Sequence, residues 1–298
     1  MVKIIESVPN ISEGRNMKVV EACVDAVRNT KGCTLMDYSS DASHNRTVIT
    51  YMGSPEAVEE ASVALAKIAA ELIDLTKHDG EHPRMGAVDV MPFIPIKGAT
   101  TEDCVELSKK VGERITKEAD IPVFLYESSA SAPHRQNLAA IRKGQFEGMA
   151  EKVMQEEWEP DFGGRRIHPT AGVVAVGARP PLIAFNINLS TSDITIANNI
   201  AKIIRRSSGG LEAVKAIGVM LEERNTAQVS INMTDYTKTP LYRVLELVRA
   251  EAKRYGVNVI GTELIGLCPM QAMFDSAEYY LQIEEFDSKV QIIENHLL

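Results

Sequence analysis

Two histidines, His78 and His82, stand in the run KHDGEHPRMGAVDV, residues 77–90, with Asp79, Gly80 and Glu81 between them. An imidazole takes and gives a proton near neutrality, so such a run can do chemistry. Read as H-x-x-E-H, it matches one class of zinc hydrolase. Read as a loop, it presents one acid/base histidine, with Asp79 or Glu81 to raise its pKa or fix its tautomer; a surface loop whose histidines only hydrogen-bond is the plainer alternative. The zinc site needs both imidazoles on one helical face. Gly80 costs a helix about 1 kcal/mol, and Pro83 disfavours the α region for His82. A catalytic zinc also needs a third protein ligand, and no other motif supplies one. The run is therefore read as a turn without metal, with His82 as the candidate proton carrier and His78 as a histidine at a helix C-terminus.

Three further clusters are polar. DYSSDASHNR, residues 37–46, packs Asp37, Asp41, His44, Asn45 and Arg46 into one hairpin. Turn chemistry accounts for such residues; alternatively Asp37, Asp41 or the nearby Glu81 orients the imidazole. DFGGRRIHPTAG, residues 161–172, holds Gly163, Gly164, Gly172, Arg165, Arg166 and His168. Its glycines let backbone approach a flat ligand, and its arginines can pair with carboxylates. An irregular linker with solvated arginines is the other reading, and a phosphate loop is excluded because the G-K-[ST] ending is missing. In SVPNISEGRN, Asn10 and Ser12 sit where a strand hands over to a helix, suited to capping or to a ligand contact.

These loops need a frame, which hydrophobic periodicity supplies. VKIIESV reads as a strand, Asn16 as the cap of a helix with Val20, Cys23, Val24 and Val27 on one face, and CTLMDY and RTVITYM as two strands. Ser54 followed by Pro55 starts a second helix, with Val58, Ala61, Leu65, Ile68 and Leu72 inward. AVDVMPFIPI is the next strand. The second half repeats the order. LIAFNIN precedes a helix capped within residues 190–192, with Ile196, Ile200, Ile203 and Ile204 inward. KAIGVMLEE and AQVSINM join at residues 224–226. A helix started by Thr239-Pro240 buries Val244, Leu247 and Val248, and GVNVIGTEL closes the run. Two β-α-β-β-α-β runs predict an α+β chain of tandem ferredoxin-like modules, each with helices on one face of an antiparallel sheet. Between them lie a helix near 101–118, a strand at IPVFLYE and a helical stretch from about Pro133 to Met154. The paired prolines of GARPP, residues 177–181, set the boundary. Residues 1–179 then carry the histidine and glycine-rich loops, and residues 180–298 form the second module.

With 298 residues, 45% hydrophobic and 24% charged, the chain has material for two cores and an ordinary soluble surface. A net charge of −9 repels phosphate backbones, so nucleic acid is not an expected partner, and an anionic small ligand needs a local basic patch. Four cysteines stand far apart with no C-x-x-C pair, as in reduced cytoplasmic proteins. The N-terminus lacks a signal-peptide core, and no run approaches the ~20 apolar residues that span a bilayer, so no membrane is expected.

Taken in order, VPNISEGRN, HNRTV, GEHPRMGAVDVMPFIPIKG, DFGG, GARPPLIAFNINL and NTAQVSINM resemble the glutamate formiminotransferase family, whose unit also forms the first part of formiminotransferase-cyclodeaminase. The resemblance runs from about residue 3 onward, and no cyclodeaminase segment is expected in this chain. It implies transfer of a formimino group from N-formimino-L-glutamate to N5 of tetrahydrofolate in histidine breakdown, by a dimeric pair of α+β modules. Tetrahydrofolate is then the acceptor substrate and the protein a cytoplasmic homodimer. The histidine before Pro-Arg-Met-Gly, His82, is implied as catalytic. The loop of Gly163, Gly164, Arg165, Arg166, Ile167, His168, Pro169, Thr170, Ala171 and Gly172 is implied as the folate contact. Arg46, Arg84 and Asn10 join the substrate-binding candidates. Ala171 stands where members carry an aromatic residue, and Ser39 where some carry an aspartate, which leaves Asp37 or Asp41 to orient the histidine. N-formylglutamate and formiminoglycine are alternative donors, and a non-catalytic ligand-binding module is the reading from another class.

Overall fold

Val8 and Pro9 interrupt the first strand, so β1 (Ile4–Ser7) and β2 (Asn10–Ile11) lie between the same two neighbours. In the computed structural model, which describes residues 2–296, they are followed by α1 (Met17–Arg28), β3 (Cys33–Asp41), β4 (Arg46–Gly53), α2 (Pro55–Leu72) and β5 (Val88–Lys97). The Asn16 side chain accepts from Lys18 N at 3.2 Å and caps α1, and Ser54 accepts from Ala57 N at 3.3 Å to cap α2. The interrupted first strand runs antiparallel to β4 and β5, and β3 pairs antiparallel with the outer side of β4. Next come α3 (Thr101–Ala119), β6 (Val123–Leu125), α4 (Leu138–Arg142), α5 (Gln145–Lys152) and β7 (Val174–Ala178). A capping box between Thr100 and Asp103 fixes the start of α3.

Here the expectation of a purely antiparallel sheet covered on one face is corrected. Strand β7 inserts beside β5, and β6 beside β7, both parallel. The connection from β5 to β6 runs through α3, as a parallel pair requires. Helices α1, α2 and α3 bury one face of the sheet around Val24, Val58, Leu65 and Val111. A second cluster around Val90, Phe124, Ile141 and Met149 covers the other side at the parallel end. Strands buried on both faces read as unbroken apolar runs, which is the character of VVAVGA at β7. The single helical stretch expected over 133–154 is also corrected. Gly144 at φ +96° breaks it between α4 and α5.

The chain divides between Arg179 and Pro180 into two units. The second comprises β8 (Ile183–Leu189), α6 (Ile194–Ile204), β9 (Val214–Leu221), β10 (Thr226–Met233), α7 (Leu241–Arg254), β11 (Val259–Ile265), α8 (Met270–Leu281) and α9 (Ser288–Gln291). Its four-stranded antiparallel sheet has the order β11-β8-β10-β9, over a core of Ile187, Ile200, Val229 and Val248. The first β-α-β-β-α-β run of the chain has the same order: last strand beside first, first beside third, third beside second. Asp193, rather than a serine of 190–192, caps α6, and the Thr239 hydroxyl bonds Glu212 O instead of capping α7. The chain is therefore α+β in both units.

Candidate active site

Residues 78–83 form no helix. His78 is spent inside the loop: Arg84 Nε donates to its Nδ1 at 3.1 Å, and its Nε2 donates to Asn45 O at 3.0 Å. The helical pairing of histidines that an H-x-x-E-H zinc site needs is absent. His78 does stand at a helix C-terminus, as the cap of the single 3-10 turn Leu75–Lys77, with its backbone N–H bonded to Leu75 O.

Asn45 holds this loop to the β3–β4 hairpin. It takes the left-handed conformation, φ +49°. Its Oδ1 accepts from Gly14 N at 2.9 Å and its Nδ2 donates to Asp79 O at 2.9 Å. Glu81 N donates to Ser43 O at 3.2 Å. Gly80 is required at this join, because a Cβ there would lie 2.5 Å from His44 O. Beside it opens a shallow concavity of about 550 Å³ lined by Arg15, Ala42, Ser43, Asp79, Gly80 and Glu81.

His82 is half-buried and faces a guanidinium. Arg46 Nη1 lies 2.6 Å from its Nδ1 and 3.2 Å from its Nε2, and Pro83 O lies 2.7 Å from Nδ1. One nitrogen cannot accept from Arg46 and donate to Pro83 at once. With Nδ1–H turned to Pro83 O, Nε2 accepts from Arg46 and is the basic nitrogen. Burial first, then the charges of Arg46 and Arg142, push the His82 pKa down to about 4. The ring is uncharged near neutrality.

Arg46 is itself fixed from three sides. Its Nε donates to Asn10 Oδ1 at 2.8 Å, and its Nη1 to Asp89 Oδ2 at 3.3 Å as well as to His82. Burial lowers its pKa to about 10, so it keeps its charge near neutrality. Asp89 is the hub. It is 1% exposed, on β5, and accepts from Met85 N at 2.9 Å. Arg142, from the end of α4, reaches it with Nη2 at 2.5 Å and Nε at 3.3 Å. Two guanidiniums therefore share one carboxylate, and the ensemble beside His82 carries a surplus positive charge inside a chain of net −9.

The expected orienting acids are elsewhere. Asp41 accepts from His44 N and binds His44 Nδ1, each at 2.8 Å, and the His44 ring meets His82 edge-on with centroids 6.0 Å apart. Asp41 thus reaches His82 only through His44. Asp37 and Glu81 are exposed, and among the described residues neither hydrogen-bonds His82. Arg84 is not free for a substrate either. It is 9% exposed and grips both Glu147 oxygens at 2.6 and 2.9 Å, pinning α5 to the loop.

The glycine-rich loop docks on the segment that leads from α2 into β5. Leu75 N donates to Thr170 O at 2.8 Å, Ala87 N to Ala171 O at 2.9 Å and Val173 N to Met85 O at 3.1 Å. His168 Nδ1 accepts from Thr170 N and Ala171 N, and its backbone pairs with Gly172, so this imidazole staples the loop tip. Ala171 is fully buried and Gly172 abuts Met85 O, which removes both side-chain positions from any ligand surface. Asp161 anchors the loop's start, accepting from Leu125 N at 2.7 Å and pairing with Arg135 at 3.1 Å. Arg165 pairs with Glu159 at 3.0 Å and Arg166 with Asp120 at 2.7 Å. Arg166 remains partly open to solvent, as do Ile167 and His168, whereas Gly164, Arg165 and Pro169 are exposed.

With this geometry in view, the sequence matches the family described as "Formiminotransferase domain, N-terminal subdomain" over residues 4–179 and "Formiminotransferase domain" over residues 184–297. The chain belongs to the formiminotransferase family. It is 61% identical to glutamate formimidoyltransferase of Streptococcus pyogenes serotype M1 over 298 residues, covering 100% of both chains. It is 45% identical to the glutamate formimidoyltransferase of Thermoplasma acidophilum over 286 residues, covering 95% of this chain and 94% of that one. It is 43% identical to mouse formimidoyltransferase-cyclodeaminase, matching 100% of this chain and 57% of the relative's length. For a formiminotransferase, the residues that sequence reading missed are Asp89 and Arg142. The signal for Asp89 is a lone carboxylate within the apolar run GAVDVMPF. A charge there is costly unless paired. Nothing local singles out Arg142, whose partner lies 53 positions away.

Proposed function

We propose that this protein transfers a formimino group from N-formimino-L-glutamate to N5 of tetrahydrofolate, releasing L-glutamate and 5-formiminotetrahydrofolate, in histidine degradation. The observation that carries the reading is an uncharged His82 held against Arg46 beside a surplus of guanidinium charge. The donor is an amidine on a glutamate with two carboxylates. A carboxylate of the donor draws Arg46 toward itself, supported by Arg142, and frees His82 Nε2. N5 attacks the amidine carbon and gives a tetrahedral centre bearing three nitrogens. N5 then loses its proton, and the glutamate nitrogen gains one before it leaves. One imidazole serves both transfers in turn, and no metal or covalent intermediate is needed.

The depressed pKa of His82 bears on the second transfer. A ring that resists protonation gives its proton up readily once it has one. Donor carboxylates beside it offset the two arginines and raise its pKa, which brings it closer to the operating pH when both substrates are bound. Positioning supplies a further part of the acceleration, up to ~7 kcal/mol or more for two reactants held together. Gly164, Arg165, Arg166 and Pro169 are the exposed or partly exposed points of the glycine-rich loop that meet the acceptor. The carboxylated folate tail then exchanges Glu159 and Asp120 as partners of Arg165 and Arg166.

A cytoplasmic homodimer without metal completes the reading. It is supported by the family resemblance and by thiols that are all free, with burial pushing Cys23 and Cys104 up to about 12. No helix among the described residues is long and apolar enough to cross a membrane. A donor panel tests the function. Formiminoglutamate with tetrahydrofolate is expected to yield free glutamate and the modified folate in equal amounts, faster than N-formylglutamate or formiminoglycine react. A binding module would release no glutamate. A zinc hydrolase would release it without folate and stop in chelator.

A further inference from the structure

We infer that Lys152 is a positioning residue for the reaction, acting through Arg142, whose place at the His82 site it fixes by clasping the end of α4. The inference rests on the reading of His82 as proton carrier. Helix α4 has five residues, too few to hold themselves in helical form. Its last carbonyls have no intrahelical donors. Lys152, at the end of α5, supplies them. Its Nζ donates to Ala140 O and Ile141 O, both at 2.6 Å, and to Lys143 O at 3.1 Å. Those carbonyls flank Arg142, the final residue of α4. The Trp158 ring lies over the ammonium, 4.0 Å from Nζ to centroid, and His134 packs edge-on against that indole.

The ammonium is thus engaged by three carbonyls and an aromatic face. An ammonium has three N–H donors, one for each carbonyl, and a neutral amine has two. Cationic side chains also favour a helix C-terminus. The chain of dependence runs from Lys152 to the α4 carbonyls, to the direction of Arg142, to Asp89, and so to Arg46 and His82. Nothing else among the described residues hydrogen-bonds to the carbonyls of Ala140, Ile141 and Lys143 from a side chain.

The test reads the His82 imidazole directly by NMR titration, in the wild type and in Lys152→Met, Lys152→Arg, Arg142→Met and the double variant Lys152→Met/Arg142→Met. Loss of the clasp lets Arg142 swing away, so Lys152→Met is expected to raise the His82 midpoint by roughly one unit, the effect of one lost like charge. The KM for formiminoglutamate is expected to rise about 10- to 100-fold, the size of a lost charge-assisted contact, with kcat little changed. Arg142→Met should do the same, and the double variant should add nothing further. Lys152→Arg keeps the donors and should behave as wild type. A Lys152→Met protein with an unmoved His82 midpoint overturns the proposal, as do additive effects in the double variant. If Lys152→Met does not fold, Lys152→Gln, which keeps two donors without the charge, carries the same readouts. The NMR midpoint needs no turnover, so it judges Lys152 even if formimino transfer were not the protein's activity.

Discussion

Replacing His82 with alanine is expected to lower turnover by roughly 10²–10⁴-fold, the usual worth of a positioned acid/base group, while tetrahydrofolate binding survives. The expectation follows from two features of the site. His82 is the imidazole whose partner, Arg46, a donor carboxylate can draw away, whereas His78 is tied to Arg84 and Asn45, His168 staples its own loop and His44 is paired with Asp41. It is also uncharged near neutrality, as a proton acceptor must be. Steady-state kinetics with calorimetric binding of tetrahydrofolate separates chemistry from binding. A variant with full turnover would remove His82 from the mechanism; one that also loses the folate would make it a binding group.

The second large effect is expected at Asp89. Its carboxylate neutralises Arg46 and Arg142, whose side chains are 15% and 14% exposed, while its own is 1% exposed. Asp89→Ala leaves two guanidiniums facing one another without a counter-charge. Breaking such a pair by removing one partner costs about 3–5 kcal/mol. Asp89 also accepts from Met85 N, so the backbone that leads from His82 into β5 loses an anchor. Urea unfolding should show a midpoint well below wild type, and the residual folded protein should have little activity. Asp89→Asn keeps acceptor capacity and should fall between the two. An Asp89→Ala midpoint equal to wild type would mean that the carboxylate does not hold the two arginines.

The local part of this site was legible in the residues. Gly80 and Pro83 forbid a helix through His82, and the structure has none there. The Asn16 and Ser54 caps and the doubled β-α-β-β-α-β order follow from patterns a few residues wide, and they hold. What was not legible depends on distant parts of the chain. The candidates for orienting His82 are Glu81 beside it and Asp37 and Asp41 of the β3–β4 hairpin. The carboxylate that shapes its surroundings is Asp89 on β5, joined to His82 through Arg46 of β4, with β2 lying between the two strands. Arg142 arrives from a segment whose helix breaks at Gly144, so its direction is set by tertiary contacts. Strand β7 was missed because a short apolar run flanked by glycines has no period of its own. Ala171 belongs to the loop that the resemblance implies as the folate contact, yet its side chain is buried in the core.

The central claim is that an uncharged imidazole at position 82 relays the proton, and its titration tests this most directly. With the histidines isotopically labelled and assigned by comparison with His82→Gln, the free protein should show His82 neutral through pH 6 and protonating only near pH 4. Adding formiminoglutamate should move that midpoint upward, as its carboxylates engage Arg46 and Arg142. A His82 that titrates at 6.5 or above in the free protein, unmoved by the donor, would contradict the account.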